Sequence, residues 1–337
     1  MSTERPDRKS RTAAFWRRAC TALAAAVFAV TAQLPVTSAQ AGPAKLHVVA
    51  TTSMIADAAR QVGGEEVRVR GLMGPGIDPH AYRQTRTDIA AMTRADLVLW
   101  HGLYLEAQLE EFMHKLAQRR SVVAVAESLP KDRLLRHDDY ANQYDPHVWM
   151  DPQMWTGVVA AVRDALIAAR PNARATFEAN AARHIAEVEA LAAYAADTLR
   201  SVPEQTRYLV TAHDAFNYFG RAYGFEVIGI QGISTESEAG LNRIAELVSL
   251  LVEKNVGAVF VESSVSDRNV RALIEGAAAR GHKVSIGGEL FSDAMGADGT
   301  YEGSYVGMLD HNVTTITHAL GGTAPARGMN SRLSAGS

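Results

Sequence analysis

From Lys45 onward, short apolar runs alternate with stretches of helical periodicity. Lys45–Ala50 reads as a strand, and Thr51-Thr52-Ser53 leads into a capped helix over Met54–Val62. Val67–Leu72 reads as a second strand. A loop rich in Gly and Pro follows, around His80. Thr87–Ala95 is then expected as helix, Leu97–Trp100 as strand, Leu105–Gln118 as helix and Val122–Ala126 as strand. The second half repeats the order. Strands are expected at Arg207–Val210, Val227–Ile230, Ala258–Val261 and Val284–Ile286. Helices are expected at Phe216–Tyr223, Glu238–Lys254 and Arg268–Ala279. Strands alternating with helices predict an α/β protein with parallel-rich sheets.

Between the halves, Asn172 to Leu199 contains neither Gly nor Pro. Phe177, Ala181, Ile185, Val188, Leu191 and Ala195 form one stripe, with Pro171 before it and Pro203 after. This predicts one helix roughly 40 Å long, read as a rigid strut between two lobes. The expected organisation is a leader over 1–41, a first lobe over 42–171, the linking helix over 172–201, a second lobe over 202–320 and a disordered tail over 321–337.

The leader is read from its charge pattern. Arg5, Arg8, Lys9, Arg11, Arg17 and Arg18 precede an apolar stretch from Ala19 to Ala32, and Ala39-Gln40-Ala41 supplies a small-residue cleavage site. This is the form of an export signal, too short in its apolar part to span a bilayer. The protein is therefore expected at the periplasmic or extracellular face of the envelope. Cleavage after Ala41 would remove six basic and two acidic residues and take the formal charge from −3 to −7. Nothing in that balance suggests nucleic acid. Cys20, the one cysteine, lies in the leader, so the exported chain has no thiol for disulfides, metal binding or nucleophilic attack. A transition-metal site must use His and carboxylates.

Eleven histidines are present. His47, His114, His184, His311 and His318 fall in predicted strands or helices and are read as structural or surface residues. His137 lies in a polar loop, and His101 and His282 lie at strand edges, which invites the same reading. Three differ: His80 in GPGIDPHAY, His147 in YDPHVWMDP and His213 in VTAHDAF. Each follows a predicted strand or sits in a loop entering a helix, where open α/β sheets bind ligands. Asp78 and Asp145 precede two of them in Asp-Pro-His, and each could accept a hydrogen bond from the ring nitrogen left free by a metal. Asp293 lies past the last predicted strand, between glycines. An isolated Asp there is ordinarily a helix cap; beside three imidazoles it would complete a four-ligand shell suited to zinc and workable for manganese or iron. Glu262, Asp214 and Asp151 are candidates for supporting roles, with a cap or surface ion pair as the plainer reading of each. No HExxH, GxSxG or phosphate-loop motif is present, so no enzyme is indicated.

The segments HVVATTSMIAD, GPGIDPHAY, ADLVLWHGLYLE, YDPHVWMDP, LVTAHDAFNYFGRAYGF, GISTESEAG, FVESS and GELFSDAMG, spread from Lys45 to Leu320, resemble the cluster A-I metal receptors of ABC transporters, the TroA/ZnuA/PsaA type. The resemblance implies two (β/α)4-type lobes joined by one long backbone α-helix. It implies a buried metal held by His80 and His147 from the first lobe and His213 and Asp293 from the second. It implies a monomer that captures Mn2+ or Zn2+, with Fe2+ admitted, and passes it to a membrane permease driven by its ATPase. Two departures matter. Lys131–Tyr144 holds only His137 and a few acids, so the His- and acid-rich loop of many zinc receptors is absent. His213 stands where many manganese receptors carry Glu. The chain is thus most similar to the three-His-plus-Asp branch, whose members are associated with both metals. A metal-containing surface adhesin is the alternative function.

Overall fold

The computed structural model describes residues 1–2, 44–136 and 143–334. The leader with its cleavage site, Cys20 and His137 lie outside them. The first half is a four-stranded parallel sheet, β1 (Leu46–Ala50), β2 (Val67–Gly71), β3 (Leu97–Trp100) and β4 (Val122–Ala124), in the order β2-β1-β3-β4. Register runs Leu46 to Val67 and Val48 to Leu97. Helices α1 (Ser53–Gly63), α2 (Arg86–Arg94) and α3 (Glu110–Ala117) cross between the strands. Local chemistry sets their starts. The Thr52 hydroxyl accepts from Ile55 N–H at the head of α1, and Thr85 with Asp88 forms a reciprocal capping box on α2.

The second half holds two parallel pairs, β5 (Tyr208–Thr211) with β6 (Glu226–Gly229) and β7 (Ala258–Glu262) with β8 (Ser285–Leu290). β5 lies beside β7. Helices α6 (Asn217–Tyr223), α7 (Leu241–Glu253) and α8 (Arg268–Ala279) connect them. β8 extends beyond the predicted Ile286, running through Gly287 and Gly288 to Leu290, with a register shift opposite Val259 and Phe260.

Two further helices were not legible from periodicity, α4 (Pro152–Ala169) and α9 (Tyr305–Ala319). α4 buries Met154, Trp155, Val158, Val159, Val162, Ala165, Leu166 and Ile167. A helix apolar around most of its circumference shows no clean stripe. α9 buries Asp310, His311, Asn312, Thr314 and Thr317 among its apolar residues, so polarity does not mark its outer face. The long helix is present as α5, Arg174–Leu199, 26 residues and about 39 Å. It does not stand free: α4, α9 and α1 pack along it. Its stripe is buried save for half-buried Ile185, and His184 joins it. Beyond Leu320, where composition suggested disorder, the chain folds back over α9 through residue 334 and buries Leu333. No described helix is long and apolar enough to cross a membrane.

Candidate metal centre

The carboxyl ends of the strands supply the site. His80 lies in the loop between β2 and α2, and His147 in the long connection from β4 to α4. His213 follows β5 by two residues, and Asp293 follows β8 by three. The fold brings all four together. Each offers one ligand atom, and these atoms lie within 4.8 Å of one another. The residues are at most 3% exposed. His147 Nε2 stands 3.2 Å from His80 Nε2, 3.4 Å from His213 Nε2 and 3.6 Å from Asp293 Oδ1. His213 Nε2 stands 3.3 Å from Asp293 Oδ2. For a tetrahedral ion with bonds of roughly 2.0–2.1 Å, ligand atoms sit about 3.4 Å apart.

The far side of each ring fixes what the near side can do. His147 Nδ1–H donates to Asp145 Oδ1 (2.7 Å), and His213 Nδ1–H donates to Glu262 Oε2 (2.5 Å). With Nδ1 engaged in this way, the neutral form of each ring presents an Nε2 lone pair toward the centre. Both oxygens of Asp293 are buried without a well-aligned donor. Several electron-pair donors therefore face one another in a space closed to water, and such a cluster needs a proton or a cation between its members. Ionisation follows the same logic. Burial opposes charge on His213, but the carboxylates of Asp293 and Glu262 outweigh it and hold the imidazole well above its usual range. Burial likewise opposes the Asp293 anion, yet the surrounding imidazoles, His213 foremost, keep it well below the usual carboxylate range. His80 goes the other way. Burial, reinforced by His147 and His213, depresses it to about 3 against the pull of Asp293.

The supporting residues divide. Asp145 backs its histidine's ring as the sequence suggested. Asp78 does not: one oxygen takes the His80 backbone N–H (2.8 Å) and the other takes the Thr235 hydroxyl. Glu262 is the strongest support, accepting both the backbone N–H (2.9 Å) and the ring of His213. Asp151 is the helix cap of the plainer reading, accepting from Gln153 N–H (2.9 Å) at the head of α4. His101, read as an edge residue, is fully buried. Its Nε2–H donates to the Pro146 carbonyl (2.7 Å), and its ring meets Trp149 edge-on. Its signal was available: it follows the carboxyl end of β3 directly. Trp149 Nε1–H then donates to the Ser292 carbonyl (2.7 Å), which ties the His147 connection to the segment bearing Asp293.

A buried cluster of three imidazoles and one carboxylate, set at the strand ends of an α/β frame, has the donor set and spacing to hold a metal ion. The chain belongs to the ZnuA family, zinc-uptake complex component A, periplasmic, whose model matches residues 48–319. It is 44% identical over 295 residues to the manganese-binding lipoprotein MntA of Bacillus subtilis, covering 88% of this chain and 96% of that one. It is 45% identical over 280 residues to the zinc-binding protein TroA of Treponema pallidum, covering 83% and 90%. The solved structure of the periplasmic zinc-binding protein TroA of Treponema pallidum superposes with a TM-score of 0.80 at 45% identity, over 82% of this chain and 99% of that chain. Fe(III)-bound YtgA of Chlamydia trachomatis superposes with a TM-score of 0.75 at 30% identity, over 83% and 99%. The family is the substrate-binding component of ABC-type metal transport, and adhesion is not the reading these relatives favour.

Proposed function

We propose that His80, His147, His213 and Asp293 are the ligands of one divalent transition-metal ion, which the chain captures outside the cytoplasm and hands to the permease of an ABC importer. The observation that carries this is the convergence of His Nε2 atoms and a carboxylate without a well-aligned donor, at 3.2–3.6 Å spacings in a buried space. Manganese and zinc are the ions to test first. The two relatives at 44% and 45% identity bind, by their names, one each. Three imidazoles favour zinc on affinity alone, since zinc outranks manganese for nitrogen donors. Iron is the third ion, on the strength of YtgA and of the iron-binding protein YfeA of Yersinia pestis at 28% identity.

In this reading residues 42–171 and 202–320 act as two lobes around the ion, the leader over 1–41 directs export, and the receptor works as a monomer. Four protein ligands leave no open position for an activated water, so the ion is cargo and the protein is not an enzyme. The ion exchanges its water shell for three imidazoles and a carboxylate, and its charge displaces the proton held between His213 and Asp293. A stiff α5 limits opening to small shifts of lobes or loops. Calorimetric titration of the exported chain with Mn2+ and Zn2+ should give one ion per chain. A stoichiometry of zero or two contradicts the reading. Elemental content of protein purified from its native envelope decides which ion is carried.

A further inference from the structure

His147 and His213 are each braced by a carboxylate. Asp293 has no such brace, and it lies on backbone without regular structure between β8 and α9. Trp149, Ser264 and Ser53 hold Ser292 and Met295 directly, and two further sets of contacts, from α9 and from residue 302, hold the segment on either side. Before Asp293, the Asn312 side chain of α9 brackets Phe291, accepting its N–H (2.9 Å) and donating to its carbonyl (2.7 Å). After Asp293, Gly296 N–H donates to the Glu302 carbonyl (2.9 Å), an approach so close that a Cβ on Gly296 would lie 2.8 Å from Glu302 Cβ.

Residues 301 and 302 are in turn gripped by the end of the described chain. Glu302 Oε1 accepts Ser334 N–H (2.7 Å). Tyr301 receives Asn330 Nδ2–H at its hydroxyl (3.3 Å) and the Arg332 guanidinium over its ring at 4.5 Å. Tyr301 also donates to Asp310 (3.0 Å), a fully buried carboxylate on α9 that accepts Met329 N–H at 2.9 and 3.0 Å. Gly328, at φ +69°, is the position where a side chain would run into that carboxylate. Arg327 and Leu333 close the turn by exchanging hydrogen bonds at 3.1 and 3.2 Å, and Leu333 is buried.

We infer that residues 327–334 are a positioning clamp for Asp293: they grip Tyr301, Glu302 and Asp310 and thereby hold the carboxylate segment in its ion-ready conformation. The inference rests on Asp293 being a ligand. The clamp touches none of the four ligands. It orders a loop in advance, and that ordering entropy need not be lost when the ion arrives.

The test compares the full chain with a chain ending at Ala324 and with full-length Tyr301→Phe and Gly328→Val variants, each also in an Asp293→Ala background. Affinity for Zn2+ and for Mn2+ is measured by titration, and release by the rate of loss to excess chelator. Thermal midpoints without metal report folding. Ending at Ala324, or Gly328→Val, should weaken binding about tenfold, chiefly through faster release, and Tyr301→Phe should do so by a smaller factor. In the Asp293→Ala background the same changes should alter affinity by less than about twofold, because the clamp acts through that residue. Unchanged affinity and release in folded variants overturn the clamp, as does an equal loss with and without Asp293. A full chain that binds neither ion sinks the coordination reading itself. Should the shortened chain fail to fold, the two point variants decide.

Discussion

The tripeptide Asp-Pro-His occurs twice in the site, at 78–80 and at 145–147, and the two copies serve the same centre differently. They agree locally: each Asp Oδ1 accepts the backbone N–H of its histidine, at 2.8 and 2.9 Å. Beyond that turn they part. Asp145 also takes the His147 ring, while its second oxygen accepts Asn217 Nδ2–H (3.1 Å) and its carbonyl accepts the Tyr218 hydroxyl (2.9 Å). His101 holds the intervening Pro146 carbonyl. The first copy has fewer holds. Asp78 gives its second oxygen to Thr235, and the loop approaching it exposes Pro75, Gly76 and Ile77. One copy is thus locked from several directions, and the other is anchored at its backbone and latched to a loop of the second half. Identical local sequence sets the turn; the surroundings set the electronics of the ring.

The comparison can be broken or sharpened by mutation. The largest effect should come from either ring itself: His147→Ala or His80→Ala should weaken Zn2+ or Mn2+ binding by more than about a hundredfold, beyond the usual effect of outer-shell partners. Unchanged circular dichroism of the metal-free variants separates lost coordination from lost fold. Next, Asp145→Ala should cost about 10–100-fold in affinity through loss of the tautomer and orientation of His147. Asp78→Ala, which removes no hydrogen bond from the His80 ring, should cost less than about tenfold. Equal losses by titration would show that both aspartates act in the same way.

The pH dependence separates the histidines again. His213 is held above its ordinary value, so near neutrality the metal-free protein carries a proton there that the ion must displace. One displaced proton predicts affinity falling about tenfold per unit as pH drops through that range. His80, depressed to about 3, adds no proton there. Calorimetry in buffers of different ionisation enthalpy should count one proton released per ion, and a count near two would assign one to a second histidine. The smallest effect concerns the fold without metal. Burial lowers both His80 and His101 to about 3, below the 6.5 of a free histidine. The unfolded chain therefore takes up protons first, and stability present above pH 6.5 should be lost as pH falls toward about 3. Asp293, held below its usual range, adds to the loss at the acid end. Thermal midpoints that rise on acidification across that window would contradict these assignments.

Much of this was legible before any coordinates. Strand 97–100 and helix 268–279 fall where the pattern of apolar residues put them, the strand because it is a short, wholly apolar and wholly buried run, the helix because Val270, Leu273 and Ala277 mark one buried face. α4 escaped notice because it is buried on several sides, and α9 because polar groups share its buried face. His80, His147, His213 and Asp293 stood out through their loops and the family resemblance, and the fold gathers them. His101 did not stand out, since a histidine after a strand looks alike whether it faces solvent or a carbonyl 45 residues further along the chain.

By itself the sequence determined the α/β alternation, the long helix and the residue types available to a metal. These depend on periodicity, on breakers and on the absence of a thiol beyond the leader, all of which act over a few residues or by composition. Only the tertiary structure decided that Glu262 backs His213 across 49 residues, that Asp78 spends its carboxylate on Thr235 and that the chain after Leu320 closes on Asp310. Those outcomes depend on which distant donor reaches a buried acceptor first, and an acceptor's sequence neighbours carry no record of it.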